Sequence, residues 1–279
     1  MWMSDAAASE CSKSLAQREG APVLKPRTRP FQAAIGLTLA ACVFVAWSTI
    51  HIGAVFFLDL GWRTLPFVPL LIALQCWLTV GLFIVAHDAM HGSLAPGWTR
   101  LNTFVGAFIL TIYAGFGWRH IRGAHMSHHD APGTADDPDF CIDEPDRFWP
   151  WFWTFFKRYF GRRSILFVCS VVATYILVFR ASVFNVVLFY GLPSLLSSLQ
   201  LFYFGTFRPH RHEEENGFSD RHNARSNEFG YLASLLSCFH FGYHHEHHTQ
   251  PWVPWWGLPV YRREGQQSRT SPGPRPGAI

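Results

Sequence analysis

Histidine is the residue that sets this sequence apart. Five fall between Cys238 and Gln250 (CFHFGYHHEHHTQ): His240, His244, His245, His247 and His248. Two shorter groups precede them, His87-Asp-Ala-Met-His91 and His125-Met-Ser-His128-His129, and His244-His-Glu-His247-His248 repeats the spacing of the second. Residues three and four apart share one face of a helix, so each group can aim two or three imidazoles at one point. Neutral imidazole is a metal ligand that suits Fe, Zn, Cu and Ni. The three boxes offer eight imidazoles, whereas one zinc ion takes four ligands, so the ligand count implies two ions. No thiolate set for an iron–sulfur cluster is present. Nor is there the repeated Glu-x-x-His motif of a carboxylate-bridged di-iron bundle. A nitrogen-rich di-iron site is the best match.

Such boxes need rigid elements to bring them together, and the composition indicates which. The chain has 279 residues, 49% hydrophobic and only 15% charged, against roughly 25% charged in soluble domains. With 12 Trp residues, it reads as a membrane protein with aromatic belts. The net charge of +4 is modest. No basic face carries interleaved aromatics, so nucleic acid is not an expected partner. The six cysteines show no CxxC spacing and read as reduced, structural thiols. The first thirty residues contain Asp5, Glu10 and Glu19 and no apolar run, so no secretory signal is expected.

In chain order, residues 1–29 read as a disordered tail ending in a basic stop, and 30–263 as one integral membrane domain. Residues 264–279 read as a second disordered tail. A span needs roughly 20 apolar residues. Residues 31–50 form the first expected span, with 51–64 an outer turn that includes His51. Residues 65–86 form the second, delivering His87 and His91 at its end. The apolar stretch 101–116 lies between two boxes that must share one side, so it should be re-entrant or lie on the surface. Residues 148–160 (FWPWFWTFFKRYF) read as an amphipathic helix at headgroup level. Residues 164–179 and 183–207 give the third and fourth spans, the latter kinked near Gly191-Leu-Pro193, and 251–261 reads as an extended interfacial segment. If both termini and all boxes are cytoplasmic, only Arg63 and Arg180 of the 23 Lys and Arg residues lie outside; the positive-inside rule therefore favours that orientation.

The text of the boxes resembles the three histidine boxes of the membrane fatty acid desaturase–hydroxylase superfamily. Around them, AHDAMHGSL (86–94), HHDAPGTADDPDF (128–140), RHNARSN (221–227) and CFHFGYHHEHHTQPWVPWW (238–256) are similar to one branch, the bacterial β-carotene ketolases, over residues 31–263. The resemblance implies an all-α membrane protein: four transmembrane helices, re-entrant or interfacial helices, and a cytoplasmic cap holding a histidine-rich di-iron site. It implies as ligands His87, His91, His125, His128, His129, His244, His247 and His248, with a ninth just after the fourth span. His210 matches that place; His212, His222 and His240 compete for it. His222, His240 and His245, with His120, are expected to make supporting or surface contacts. Asp88, Asp130, Asp137 and Glu246 are candidates to orient imidazole N–H groups.

The activity so implied is O₂-dependent oxygenation, with no catalytic residue beyond the metal ligands. In the ketolase branch the C4 methylene of a β-ionone ring would be hydroxylated twice to a ketone, giving echinenone- or canthaxanthin-type products. The carotenoid would enter from the bilayer through an apolar tunnel among the spans, in contact with membrane lipids. No flavin, haem or nicotinamide motif is present, so electrons must come from an external donor such as ferredoxin, docked on the basic face. Box spacing alone leaves a carotenoid hydroxylase or a fatty acyl desaturase open, since the same oxidant serves all three. A metal transporter would need ionisable ligands within the spans, and these are scarce here.

Overall fold

In the computed structural model, which describes residues 29–213 and 217–270, every regular element among the described residues is helical. Helix α1 runs Arg29–Phe57 and α2 Leu65–His91. Next come α3 (Thr99–Ala114) and α4 (Trp118–Asp130), which meet at a 102° bend, and α5 (Phe148–Tyr159) and α6 (Arg162–Val178), which meet at 80°. Helix α7 spans Val183–His210, followed by the short α8 (Tyr231–Cys238), α9 (His244–Thr249) and α10 (Leu258–Thr270). Three helices, α1, α2 and α7, are long and apolar enough to cross a membrane, or up to five crossings if each bent pair counts as one. Large apolar side chains such as Phe31, Val45, Leu70, Phe184 and Val187 point outward from them, as lipid-facing positions must. The chain is thus an integral membrane protein.

Helix α2 is the axis against which α1, α3 and α7 pack. Leu82, Val85, Ala86 and Met90 of α2 form one buried cluster with Ala40 of α1, Ile109 and Leu110 of α3 and Ile121 of α4. Residues 101–116, expected to be re-entrant or to lie on the surface, form α3 and turn back into α4 through the 102° bend. Gly115 takes φ +67°, a left-handed conformation that glycine adopts without steric penalty. At Gly106 a Cβ would fall inside the Trp118 ring, so a glycine there lets the first turn of α4 close over α3.

Two stretches depart from the sequence expectation. Helix α1 does not stop at residue 50 but continues through His51 to Phe57, its last turn widened to π geometry over Gly53–Phe57. Asn185 of α7 explains this: its Nδ2 donates to the Ala54 carbonyl at 2.9 Å and to the Leu58 carbonyl at 2.8 Å, satisfying acceptors that a helix end leaves open. His51 is accordingly buried inside a helix, with Nε2 3.0 Å from the Tyr175 hydroxyl of α6. Helix α2, by contrast, carries the first box at its end and stops at Gly92, φ +73°, as expected. Finally, the segment expected to be extended over 251–261 runs in turns to residue 257, and from Leu258 it and the first residues of the tail expected from 264 form α10, which Pro259 initiates at a position where its missing N–H costs nothing. The rest of the two expected tails, 1–28 and 271–279, lies outside the described residues.

Helix α7 carries two further π turns, Val187–Gly191 and Tyr203–Phe207, each closing two residues before a proline, Pro193 and Pro209. A proline ring clashes with the carbonyl four residues earlier and offers it no hydrogen bond. Widening the preceding turn relieves both problems. The second widening also resets the rotation of the last turn, which carries His210.

Candidate metal centre

Nine imidazoles converge in two adjoining groups. In the first, nitrogens of His87, His91, His125, His129 and His247 lie within 4.8 Å of one another; in the second, so do those of His128, His210, His244 and His248. The five come from the end of α2, from α4 and from α9; the four come from α4, the end of α7 and α9. Both doublets are divided: His128 and His129 go to different groups, as do His247 and His248, because neighbours on a helix point about 100° apart. Helices α4 and α9 therefore stand between the two groups and serve both. Arg122 ties α4 to the last turn of α2, its Nε donating to the Met90 carbonyl at 3.0 Å.

The hydrogen bonding within the second group fits a cation. His128 Nδ1 donates to Asp137 Oδ2 at 2.9 Å and His210 Nδ1 donates to the Asn223 carbonyl at 2.7 Å. In each neutral ring the inward Nε2 is then a bare lone pair. The four Nε2 atoms form a chain, His210–His244 at 2.9 Å, His244–His248 at 3.1 Å and His248–His128 at 3.2 Å. Only His244 and His248 can bring hydrogens to it, so protons fill at most two of the three gaps. Doing so would leave Nδ1 of both as lone pairs, and these atoms are buried without a partner, a costly arrangement. In the first group His91 and His125 Nε2 approach to 2.7 Å and His129 and His247 Nε2 to 3.0 Å, and neither nitrogen of buried His87 has a hydrogen-bond partner. A metal ion that accepts lone pairs from several imidazoles at once resolves both groups.

Burial first, and then the neighbouring imidazoles, hold His125, His129, His244, His247 and His248 well below the ordinary histidine range, so these rings stay neutral and able to ligate. His128 is the exception. Burial opposes its charge, but the hydrogen bond and charge of Asp137 outweigh burial and raise it. Asp137 is itself anchored, accepting from the Gly133 N–H at 2.8 Å on Oδ2 and from the Asp139 N–H at 2.8 Å on Oδ1.

The remaining expected supporters divide. Asp137 touches an imidazole directly. Asp88 lies 3.7 Å from His87 Nδ1, beyond hydrogen-bond range, and instead accepts from the Trp255 N–H at 3.1 Å, which pins the segment after α9 to α2. Glu246 points away from the imidazoles; it pairs with Arg262 of α10 at 2.6 Å and bonds to Ser226. Asp130 is exposed at the end of α4. His245 bonds to Asp220 at 2.7 Å on the surface side of α9. His222 lies with its ring 6.2 Å from that of His245 and 6.3 Å from that of His248. His240 is fully buried against Tyr231, Tyr243 and Trp255, outside both groups. His212 bonds to the Gly133 carbonyl at 3.2 Å, and the ring of His120 lies 6.1 Å from that of Tyr159. Of the four competitors for the ninth place, only His210 reaches a group.

A cavity of about 310 Å³ opens onto both groups, touching His87 and His125 of the first and His128 and His244 of the second. Its walls come from α2 to α7 and are mostly apolar, with Phe83, Phe116, Phe155 and Leu201 among them. Phe241 packs edge-on against both His87 and His244. Asp139 and Tyr159 also line it, joined by a hydrogen bond. Neither residue carried a signal in the sequence: Asp139 is one acid among many in its loop, and Tyr159 sits in a helix read as lying on the membrane surface.

The fatty acid desaturase family model matches residues 60–175 and 147–271. The chain belongs to that family. Within it, this desaturase-family chain is 46% identical to a β-carotene ketolase of Paracoccus sp. (strain N81106 / MBIC 01143), over 83% of its own length and 94% of the relative's. It is 32% identical to a zeaxanthin 4-ketolase of Chlamydomonas reinhardtii, over 85% and 55%. A sphingolipid delta(4)-desaturase of Pongo abelii is 28% identical, over 67% and 60%. No solved structure matches the chain.

Proposed function

We propose that this chain is a β-carotene ketolase, with two irons held by the two histidine groups. The observation that carries the proposal is the meeting of nine imidazoles, six buried and three half-buried, with the end of an apolar cavity; ketolases that share most of the chain's length support the substrate. His87, His91, His125, His129 and His247 would hold one iron, and His128, His210, His244 and His248 the other. Bound there, the irons supply activation of O₂ for attack on an unreactive C–H bond. The chain supplies the rest. The aromatic walls bind a ring by shape, since the hydrocarbon offers nothing else to grip, and exclude water from it. Asp137 keeps the His128 proton on Nδ1, so that Nε2 faces the metal. Electrons come from an external donor of the ferredoxin type. The histidine groups face the cytoplasm, because, of the Lys and Arg residues, only Arg63 and Arg180 fall in the turns at the other end.

Expression in a bacterium that accumulates β-carotene tests the substrate. The expected result is conversion to keto-carotenoids with a red shift of the pigment. Unchanged carotene with altered lipid unsaturation would overturn it in favour of an acyl desaturase. Metal analysis of the purified chain should give two irons per molecule; zinc or copper at one per molecule would refute the metal assignment.

A further inference from the structure

We propose that Asp139 and Tyr159 form a polar subsite that holds the hydroxyl left by the first oxidation, so that the same ring carbon is presented for the second. The inference rests on the ketolase reading. Making a ketone from a methylene takes two rounds, each consuming one O₂, two electrons from the external one-electron donor and two protons. The first round turns one C–H into C–OH and releases one water. The second turns the remaining C–H of that carbon into C–OH and releases another. The geminal diol then loses a third water to leave C=O.

The difficulty lies between the rounds. The hydrocarbon is held by shape alone, but the alcohol carries an O–H that an apolar cavity leaves unpaired, which is unfavourable. Without a partner the alcohol leaves for the polar edge of the bilayer. A partner beside the metal groups both retains it and fixes which C–H faces them.

Asp139 and Tyr159 meet these requirements. Both line the cavity, and a carboxylate oxygen of Asp139 lies within 4.8 Å of a ring nitrogen of His128. The Tyr159 hydroxyl donates to Asp139 Oδ1, which leaves Oδ2 and the lone pairs of the phenol oxygen to accept from a ligand. The pair is fixed from behind. The Asp139 N–H donates to Asp137 Oδ1 at 2.8 Å, Trp151 Nε1 donates to the Asp139 carbonyl at 2.7 Å, and the Phe155 ring packs on Tyr159 at 4.9 Å. Asp139 is the one carboxylate among the described lining residues, while Ser194 and Ser198 give their protons to the Tyr190 and Leu195 carbonyls and Tyr113 pairs with Ser197. Tyr190 and Thr206 are the further wall hydroxyls, and Thr206 serves as the comparison.

The experiment measures the ratio of ring alcohol to ketone in carotene-accumulating cells that express the wild type, Tyr159→Phe, Asp139→Asn or Thr206→Val. Loss of one hydrogen bond to the intermediate should raise the ratio about tenfold in Tyr159→Phe and at least as much in Asp139→Asn. Thr206→Val should leave it near the wild-type value. When the ring alcohol is supplied directly, the two subsite variants should oxidise it more slowly, relative to β-carotene, than the wild type does. An unchanged ratio in Tyr159→Phe overturns the inference, as does an equal loss of both rounds, which marks a structural role, or an equal shift in Thr206→Val. If Asp139→Asn does not accumulate in the membrane, Tyr159→Phe decides alone. A wild-type chain that leaves β-carotene untouched overturns the ketolase reading itself and this inference with it; an unchanged ratio on an active background overturns this inference only.

Discussion

Replacing Asp137 with Asn changes no shape and removes one charge, yet it should weaken the metal centre. In the native protein Asp137 Oδ2 accepts from His128 Nδ1 at 2.9 Å and from the Gly133 N–H at 2.8 Å, while Oδ1 accepts from the Asp139 N–H at 2.8 Å. All three partners are donors, and asparagine has only one oxygen. If that oxygen faces His128 and Gly133, the new NH₂ opposes the Asp139 N–H. One bond is lost and a buried donor pair is left facing itself, at a cost of about 2–4 kcal/mol. If the amide turns over, the NH₂ faces His128 Nδ1; the ring must then carry its proton on Nε2, the nitrogen that faces His248. In either orientation the carboxylate charge behind the ligand is gone, and loss of such a partner lowers metal affinity about 10–100-fold. Chelator competition on the purified protein measures the affinity, and thermal unfolding of the metal-free protein measures the stability separately. An Asp137→Asn protein that holds metal as tightly as the wild type would refute the role given to this carboxylate.

Alanine at His248, or at any of the other eight clustered histidines, should abolish oxidation while the protein still inserts into the membrane; full activity of one such variant would remove that residue from the ligand set. Chelation should silence the purified enzyme, and iron should restore it where zinc does not, as product formation with a reducing system would show. The metal-free protein should lose stability on acidification. His125, His129, His244, His247 and His248 lie below the ordinary value when folded, so below about pH 6.5 the unfolded chain binds more protons. Stability is therefore full above that pH and falls below it, and a melting temperature in detergent that rises on acidification would contradict the burial of neutral rings. Asn185→Leu, which strips the acceptors at the end of α1 of their donor, should cost about 1–3 kcal/mol in the same assay.

What the sequence made legible was periodic. Spacings of three and four residues marked the imidazoles, and long apolar runs marked the helices that carry them. Even the break between α3 and α4 followed, from the requirement that two boxes share a side. What stayed hidden depends on contacts between distant segments. Nothing near residue 50 signals that Asn185 will keep α1 helical. Glu246 lies inside the third box, where an orienting role was the natural expectation, but Arg262 draws it outward because α10 packs behind α9. Asp139 and Tyr159 are 20 residues apart and meet only because Trp151 anchors the intervening loop to α5. Proline positions were visible, but their effect on the rotation of His210 was not, since a widened turn leaves no periodic trace.

The divided doublets have a consequence for how the centre assembles. His128 and His129 share one stretch of α4 backbone, and His247 and His248 share one stretch of α9, so neither group can be arranged without arranging its neighbour. An ion that settles in one group fixes the pose of both helices and has thereby paid the ordering entropy of the other. Loading should thus be cooperative, with singly filled molecules scarce during titration. By the same linkage the centre should fail as a unit, with damage to one ligand expected to release both ions rather than one.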